Sequence, residues 1–236
     1  MKSILTAFLL FACVCVATAQ NGTSSSDVVV NPLPINSGDD DFAPFYLQNG
    51  KLLYFTSDRD GEQRVFLVQR TANGWGDPQM LSDVINDGEQ VGAAAFTPDG
   101  QYMVFSAYGR PGSSMGRTDL YSARKVNGQW AEVRNLGPDI NSPYWDSQPF
   151  ISGDGNTLYF ASDRPGGSGG SDIYMCRKTP KGWSAATNLG LNINTAADEM
   201  SPSIAADNER LYFASNRVDG LGGFDIYMID LPKTTT

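Results

Sequence analysis

The dipeptide Ile-Asn occurs four times, at Ile35-Asn36, Ile85-Asn86, Ile140-Asn141 and Ile193-Asn194, at spacings of 50, 55 and 53 residues. Eight residues beyond each Asn stands Pro44, Ala94, Pro149 or Pro202. A turn pair follows (Asn49-Gly50, Asp99-Gly100, Asp154-Gly155, Asp207-Asn208), then an apolar run to Phe55, Phe105, Phe160 or Phe213. A fixed period of this length means that each copy is one supersecondary unit stacked on its neighbours. This constraint outranks any local propensity.

Within a copy the punctuation is that of antiparallel hairpins. In the third, Gln148 to Ser152 reads as a first strand turning at Asp154-Gly155, a pair that reaches positive φ at little cost. Leu158 to Ser162 is a second strand, apolar on both faces and so covered on both. A Gly-rich loop, Pro165 to Gly170, leads to a third strand from Ile173 to Arg177; Trp183 opens an outer strand running toward Leu189. No segment has helical periodicity. Four antiparallel strands per copy predict an all-β, four-bladed propeller. A β-sandwich would give no reason for the recurring Phe.

Trp75, Trp130 and Trp183 open three outer strands, whereas the fourth copy has none after Tyr227. The run Val28-Val29-Val30 precedes the first Ile-Asn without a blade of its own. Residues 28–34 are therefore expected to complete the last blade, closing the ring and protecting an open sheet edge. The copies span residues 35–84, 85–139, 140–192 and 193–231.

Residues 1–19 read as a signal peptide: Lys2, an apolar run from Ile4 to Val16, and a small-residue cleavage site at Ala17-Thr18-Ala19 before Gln20. Residues 20–27 read as a flexible linker. The expected location is outside the cytoplasm, in the periplasm or at the cell surface, with no transmembrane segment in the mature chain. Leu10-Phe11-Ala12-Cys13 approximates a bacterial lipobox, an alternative that would anchor the chain at Cys13, although Phe11 fits it poorly. Removing Lys2 with the leader takes the formal charge from −9 to −10, which opposes nucleic acid as a partner. Cys176 is then the one remaining cysteine, expected as a buried, inert thiol in a strand. The chain contains no histidine, which removes the commonest general base and His-ligated metal sites.

Leu158-Tyr159-Phe160-Ala161-Ser162-Asp163-Arg164, followed by a Gly/Ser loop and Asp172-Ile173-Tyr174, resembles the TolB-like, WD-type periplasmic propeller repeat. Leu211 to Arg217 followed by Asp225-Ile226-Tyr227 is similar, as are the downstream Gly-Trp, Asn-Leu-Gly and Ile-Asn elements. The resemblance covers about residues 28 to 231 and extends to OmpA-associated envelope proteins of Bacteroidetes-type bacteria. It implies a propeller in the cell envelope, with an envelope protein or a glycan- or peptidoglycan-associated partner. Two copies depart from it: Arg64 replaces the Asp before the third strand, and Ala107-Tyr108-Gly109-Arg110 disturbs the Asp-Arg pair. The first copy loses the long Gly loop and the Asp together. Asp119, Asp172 and Asp225 are therefore expected to accept hydrogen bonds from loop amides.

No cofactor is expected. Calcium in the Asp163–Asp172 loop is the alternative, but the loop offers two acids with Arg164 between them. A faint likeness of Ser152-Gly153-Asp154-Gly155 to a sialidase turn motif carries no catalytic set. The acids Asp39, Asp40, Asp41, Asp146, Asp198 and Glu199 precede the first strands, where they would form either a solvated rim or a glycosidase pair at the channel mouth. Tyr144 and Trp145 stand where other copies have no aromatic, and so suit contact with a sugar or peptide. The candidate ligand-binding residues are Trp145, Tyr144, Tyr108, Arg64, Asp146 and Glu199. The expected function is a non-enzymatic binding or scaffolding module; the alternative is a glycan-active enzyme using rim carboxylates.

Overall fold

The computed structural model describes residues 31–232, which excludes the expected leader and linker. Blade 1 comprises β1 (Asp41–Leu47), β2 (Leu52–Ser57), β3 (Arg64–Thr71) and a divided outer strand, β4 (Gly74–Trp75) and β5 (Gln79–Met80). The division falls at Pro78, which has no N–H to give a ladder. Helix α1 (Asp83–Asn86) leads into blade 2: β6 (Gln90–Phe96), β7 (Tyr102–Tyr108), β8 (Asp119–Val126) and β9 (Gln129–Asn135). Blade 3 holds β10 (Asp146–Ile151), β11 (Thr157–Ser162), β12 (Asp172–Thr179) and the outer pieces β13 (Gly182–Trp183) and β14 (Thr187–Asn188). Blade 4 holds β15 (Glu199–Ile204), β16 (Arg210–Ser215) and β17 (Asp225–Asp230). Within each blade the strands pair antiparallel in sequence order, giving a four-bladed β-propeller.

Each inner strand carries a bulge at the same place, with register shifts at Phe42/Phe45, Gly92/Ala95, Ser147/Phe150 and Met200/Ser203. The bulged residues Ala43, Ala93, Gln148 and Ser201 take φ of 49°, 45°, 53° and 51°. The recurrent Pro44, Pro149 and Pro202 follow directly, where the ladder is already broken and no N–H is forfeited.

The recurrent Phe has a partner on the third strand. Phe55–Phe66, Phe105–Tyr121, Phe160–Tyr174 and Phe213–Tyr227 stack with centroids 5.8–5.9 Å apart. Arg59, Arg110, Arg164 or Arg217 lies over each pair. The opposite face of one blade covers this pair on the next. Tyr54 and Val65 of blade 1 pack with Phe105 and Tyr121, Leu120 of blade 2 with Phe160, and Ile173 of blade 3 with Phe213.

The Ile-Asn dipeptide closes each of these junctions. Asn86 accepts the Val65 N–H and donates to the Val65 C=O, and Asn141 does the same to Leu120. Asn194 repeats the arrangement on Ile173. All three amides are buried, beside the buried Ile85, Ile140 and Ile193. The fourth latch is not made: Asn36 is exposed, and Ile226, the residue equivalent to Val65, Leu120 and Ile173, is 83% exposed. Burying an Ile contributes about 2 kcal/mol, so the seam between blades 4 and 1 forgoes a sizeable term. Ile35, like Ile85, Ile140 and Ile193, still packs with the aromatic pair of its own blade, here Phe55 and Phe66.

Residues 28–30 of the expected closing strand lie outside the described residues, residues 31–34 form no strand, and β17 has no outer partner among the described residues. Among the described residues, no helix is long and apolar enough to cross a membrane.

Candidate functional site

Strand direction puts the segments before the inner strands and the loops between second and third strands at one end of the propeller. All six candidate residues lie there. Asp146 and Glu199 differ from the rim acids in where their carboxylates go. Both are fully buried, and they face Ser162 and Ser215 across the first strand pair. Asp146 holds Arg164 at 2.6 Å and accepts from the backbone N–H and hydroxyl of Ser142 at 2.6 and 2.8 Å. Glu199 engages Arg217, Thr195 and Ser215 in the same way.

In blade 1 the set is Asp41, Arg59, Ser37 and Ser57. Burial works to raise Asp41, but the Ser37 backbone N–H and the Ser57, Arg59 and Ser37 side chains hold it at about 2, below its usual 3.8. In blade 2 the acid and the serine are both lost, replaced by the apolar cross-strand pair Val91 and Ala107. Arg110, shifted by one residue, keeps its bond to the Ile85 carbonyl and takes those of Val84 and Asp87 as well. A group that the repeat can exchange for Val and Ala belongs to the frame. The expectation that Asp146 and Glu199 offer carboxylates to a ligand is therefore corrected: Arg164 and Arg217 consume them as internal counter-ions.

Arg64 is also turned inward, donating to the carbonyls of Gln63 and Glu89 and pairing with Glu62. It ties the blade 1 loop to the lead-in of blade 2, in place of the missing Asp. Where that Asp is present it does bind loop amides. Asp172 accepts the N–H groups of Ser168 and Gly169, Asp225 those of Leu221 and Gly222, and Asp119 that of Met115. Burial pushes Asp119 up, against the lowering by Met115 and Asn135. Asp163 accepts the Trp145 N–H and pairs with Arg117. With these oxygens committed, the Asp163–Asp172 loop is poorly suited to a cation, and the described residues contain no group of three acids or cysteines placed to hold one. Burial pushes the Cys176 thiol up to about 12, although the Arg164 charge lowers it.

Tyr108 and Tyr144 are half exposed, at 41% and 40%. Trp145 keeps the backbone role of its counterparts: its N–H reaches Asp163, as Asp40 reaches Asp58 and Asp198 reaches Asn216. Its side chain is half-buried and lines a central funnel of about 500 Å³. All four inner strands contribute to the funnel, through Phe42 and Phe45, Gly92 and Ala93, Gln148 and Phe150, and Ser201 and Ser203. Phe45 meets Phe150 at 6.0 Å and Phe96 at 5.2 Å, narrowing the bore. Among the described residues, no charged side chain lines it. The funnel residues beyond Trp145 escape sequence reasoning, because their side chains are those of ordinary half-buried strands. The one signal was the recurrent proline, which marks the bulge.

No protein-family model matches the chain, and no curated protein matches it. Solved structures do. TolB from Acinetobacter baumannii superposes with a TM-score of 0.58 at 18% identity, over 81% of this chain and 41% of that one. A gluconolactonase from Xanthomonas campestris gives 0.53 at 17% identity, over 84% of this chain and 60% of that one. A puromycin-hydrolyzing peptidase of Mycobacterium tuberculosis gives 0.52 at 15%, over 84% and 29%. This chain thus spans under two thirds of the length of each. The blade order, the bulged inner strands and these superpositions agree: the chain has the TolB-like β-propeller fold.

Proposed function

We propose that this chain is a non-enzymatic binding module of the bacterial cell envelope, holding a protein partner at the mouth of its funnel. The observation that carries this reading is the uncharged funnel lining. Serine hydroxyls are present there, but activating one needs an adjacent base; among the described residues the lining holds no carboxylate or histidine, and Asp146, next to Ser147, is committed to Arg164 and Ser142. What remains is recognition chemistry. Trp145 and Phe42 offer apolar area, while the Gln63 and Gln148 amides and the serine hydroxyls suit the N–H and C=O groups of a polypeptide. The envelope setting rests on the leader-like first residues and on the likeness to TolB.

The test pairs capture with a turnover screen. Wild-type chain immobilised against an envelope extract should retain a defined protein that the Trp145→Ala variant, melting at the same temperature, loses. The wild-type chain should show no activity above blank on a panel of aryl-glycosides, lactones and peptides. Reproducible turnover of any of them would overturn the reading.

A further inference from the structure

A second cavity, of about 480 Å³, lies on the outer flank where blades 2 and 3 meet, away from the funnel. Arg124, Arg134, Lys181, Glu132 and Asp139 line it, and none of these side chains has an ion-pair partner among the described residues. Arg124 lies over the Tyr102 ring, 5.3 Å from its centroid, as other arginines of the propeller lie over aromatic faces. Arg134 pairs with Ser122, two residues from Arg124 on β8, so both guanidinium groups leave the same side of the sheet. One wall is aromatic: the Trp183 indole N–H donates to the Tyr102 hydroxyl at 3.1 Å, which fixes both rings. Tyr102, Arg124 and Trp183 also line a smaller cavity of about 190 Å³ beside it, so the two run together as a groove.

Comparison among the copies shows that the blade does not require these residues. At the equivalent places, the blade 1 side has Leu52, Gln69, Gln79 and Val84 where this junction has Tyr102, Arg124, Arg134 and Asp139. Blade 3 has Thr157, Arg177, Thr187 and Asn192. Arg177 repeats the charge of Arg124 and blade 3 is polar at all four places, so what sets this junction apart from those two is the aromatic Tyr102 together with the charges of Arg134 and Asp139.

We propose that this groove binds an acidic saccharide, with the carboxylate held by Arg124 and Arg134 and a sugar ring laid on Trp183. Guanidinium forks match a carboxylate in two parallel hydrogen bonds. Glu132 and Asp139 accept hydroxyl protons, and the indole face takes the C–H face of a pyranose. The net charge of −9 does not forbid an anionic ligand, because screening removes repulsion beyond about 8 Å at physiological ionic strength. The site is separate from the funnel and does not rest on the function proposed there.

Calorimetric titration of the whole chain with oligogalacturonate, with a neutral galactose oligomer and with inorganic phosphate tests the proposal. Oligogalacturonate should bind and the other two should not. Arg124→Gln with Arg134→Gln should weaken it by about tenfold or more, while Arg70→Gln, on a different blade, leaves it unchanged. Binding should shift the tryptophan emission, and the shift should vanish in Trp183→Phe and persist in Trp145→Phe. Equal affinity for the neutral oligomer, competition by phosphate at similar concentration, an unaffected double variant, or no binding at all would each overturn the assignment.

Discussion

The side-chain amide of Asn194 accepts the N–H of Ile173 at 2.8 Å and donates to its C=O at 2.9 Å, joining blade 4 to blade 3 across a buried junction. Replacing Asn194 with Ala strands both backbone groups away from water, at about 1–3 kcal/mol each. Asn194→Ala should therefore lower unfolding stability by about 2–6 kcal/mol. Asn36→Ala, at the exposed fourth latch, should change it by no more than about 0.5 kcal/mol. Urea unfolding of the two variants side by side checks the contrast.

The glycines of the second-to-third strand loops obey the same asymmetry. A Cβ on Gly169 would lie 1.8 Å from the Ala197 carbonyl oxygen, and one on Gly116 would lie 2.3 Å from that of Ser142. Gly222, at the equivalent place in blade 4, has nothing within 4 Å. Gly169→Ala should cost more than about 1 kcal/mol, as overpacking does, and Gly222→Ala should be close to neutral. Thermal melts should separate the two variants clearly.

Asp41 supplies a pH signature. Its carboxyl titrates near 2 when folded against 3.8 in its usual state, so the unfolded chain takes up the proton first as pH falls. The associated stability is complete above about pH 4 and is lost as pH falls through about 2. Allowing for solvent screening at this partly exposed pair, about 1–2 kcal/mol is at stake. Asp41→Asn should be destabilised at pH 6 and converge on wild type by pH 2. Asp146→Ala should be costlier at neutral pH, about 3–5 kcal/mol, because it leaves Arg164 without its counter-ion. Denaturant midpoints across the pH series report both.

Cys176 is 1% exposed, and burial pushes its thiol up to about 12. An aromatic disulfide reagent at pH 8 should label it only after denaturant is added. Prompt labelling of the native chain would show that blade 3 opens locally.

The architecture was legible because its markers are turn pairs, prolines and aromatics that repeat in sequence. The Asp cap of the Gly loop was legible too, since its partners lie within four residues of it. The role of Asn86, Asn141 and Asn194 was not, for each binds a backbone 21 residues upstream, and a peptide group leaves no mark on composition. Asp146 and Glu199 were grouped with the rim acids because a buried counter-ion and a solvated acid look alike in sequence. The paired change to Val91 and Ala107 was the signal that distinguished them. The outer groove was invisible for a different reason: its residues run from Tyr102 to Trp183 and converge only once two blades are packed.

The unmade latch between Asn36 and Ile226 bears on how the funnel can adapt. In a ring bonded all the way round, widening the bore strains every junction at once. A ring with one unlatched seam among its described residues is softer there: a small opening at that seam changes the bore without breaking any of the three amide latches. Among the described residues, the seam between blades 4 and 1 is thus the junction at which a change of bore would cost least.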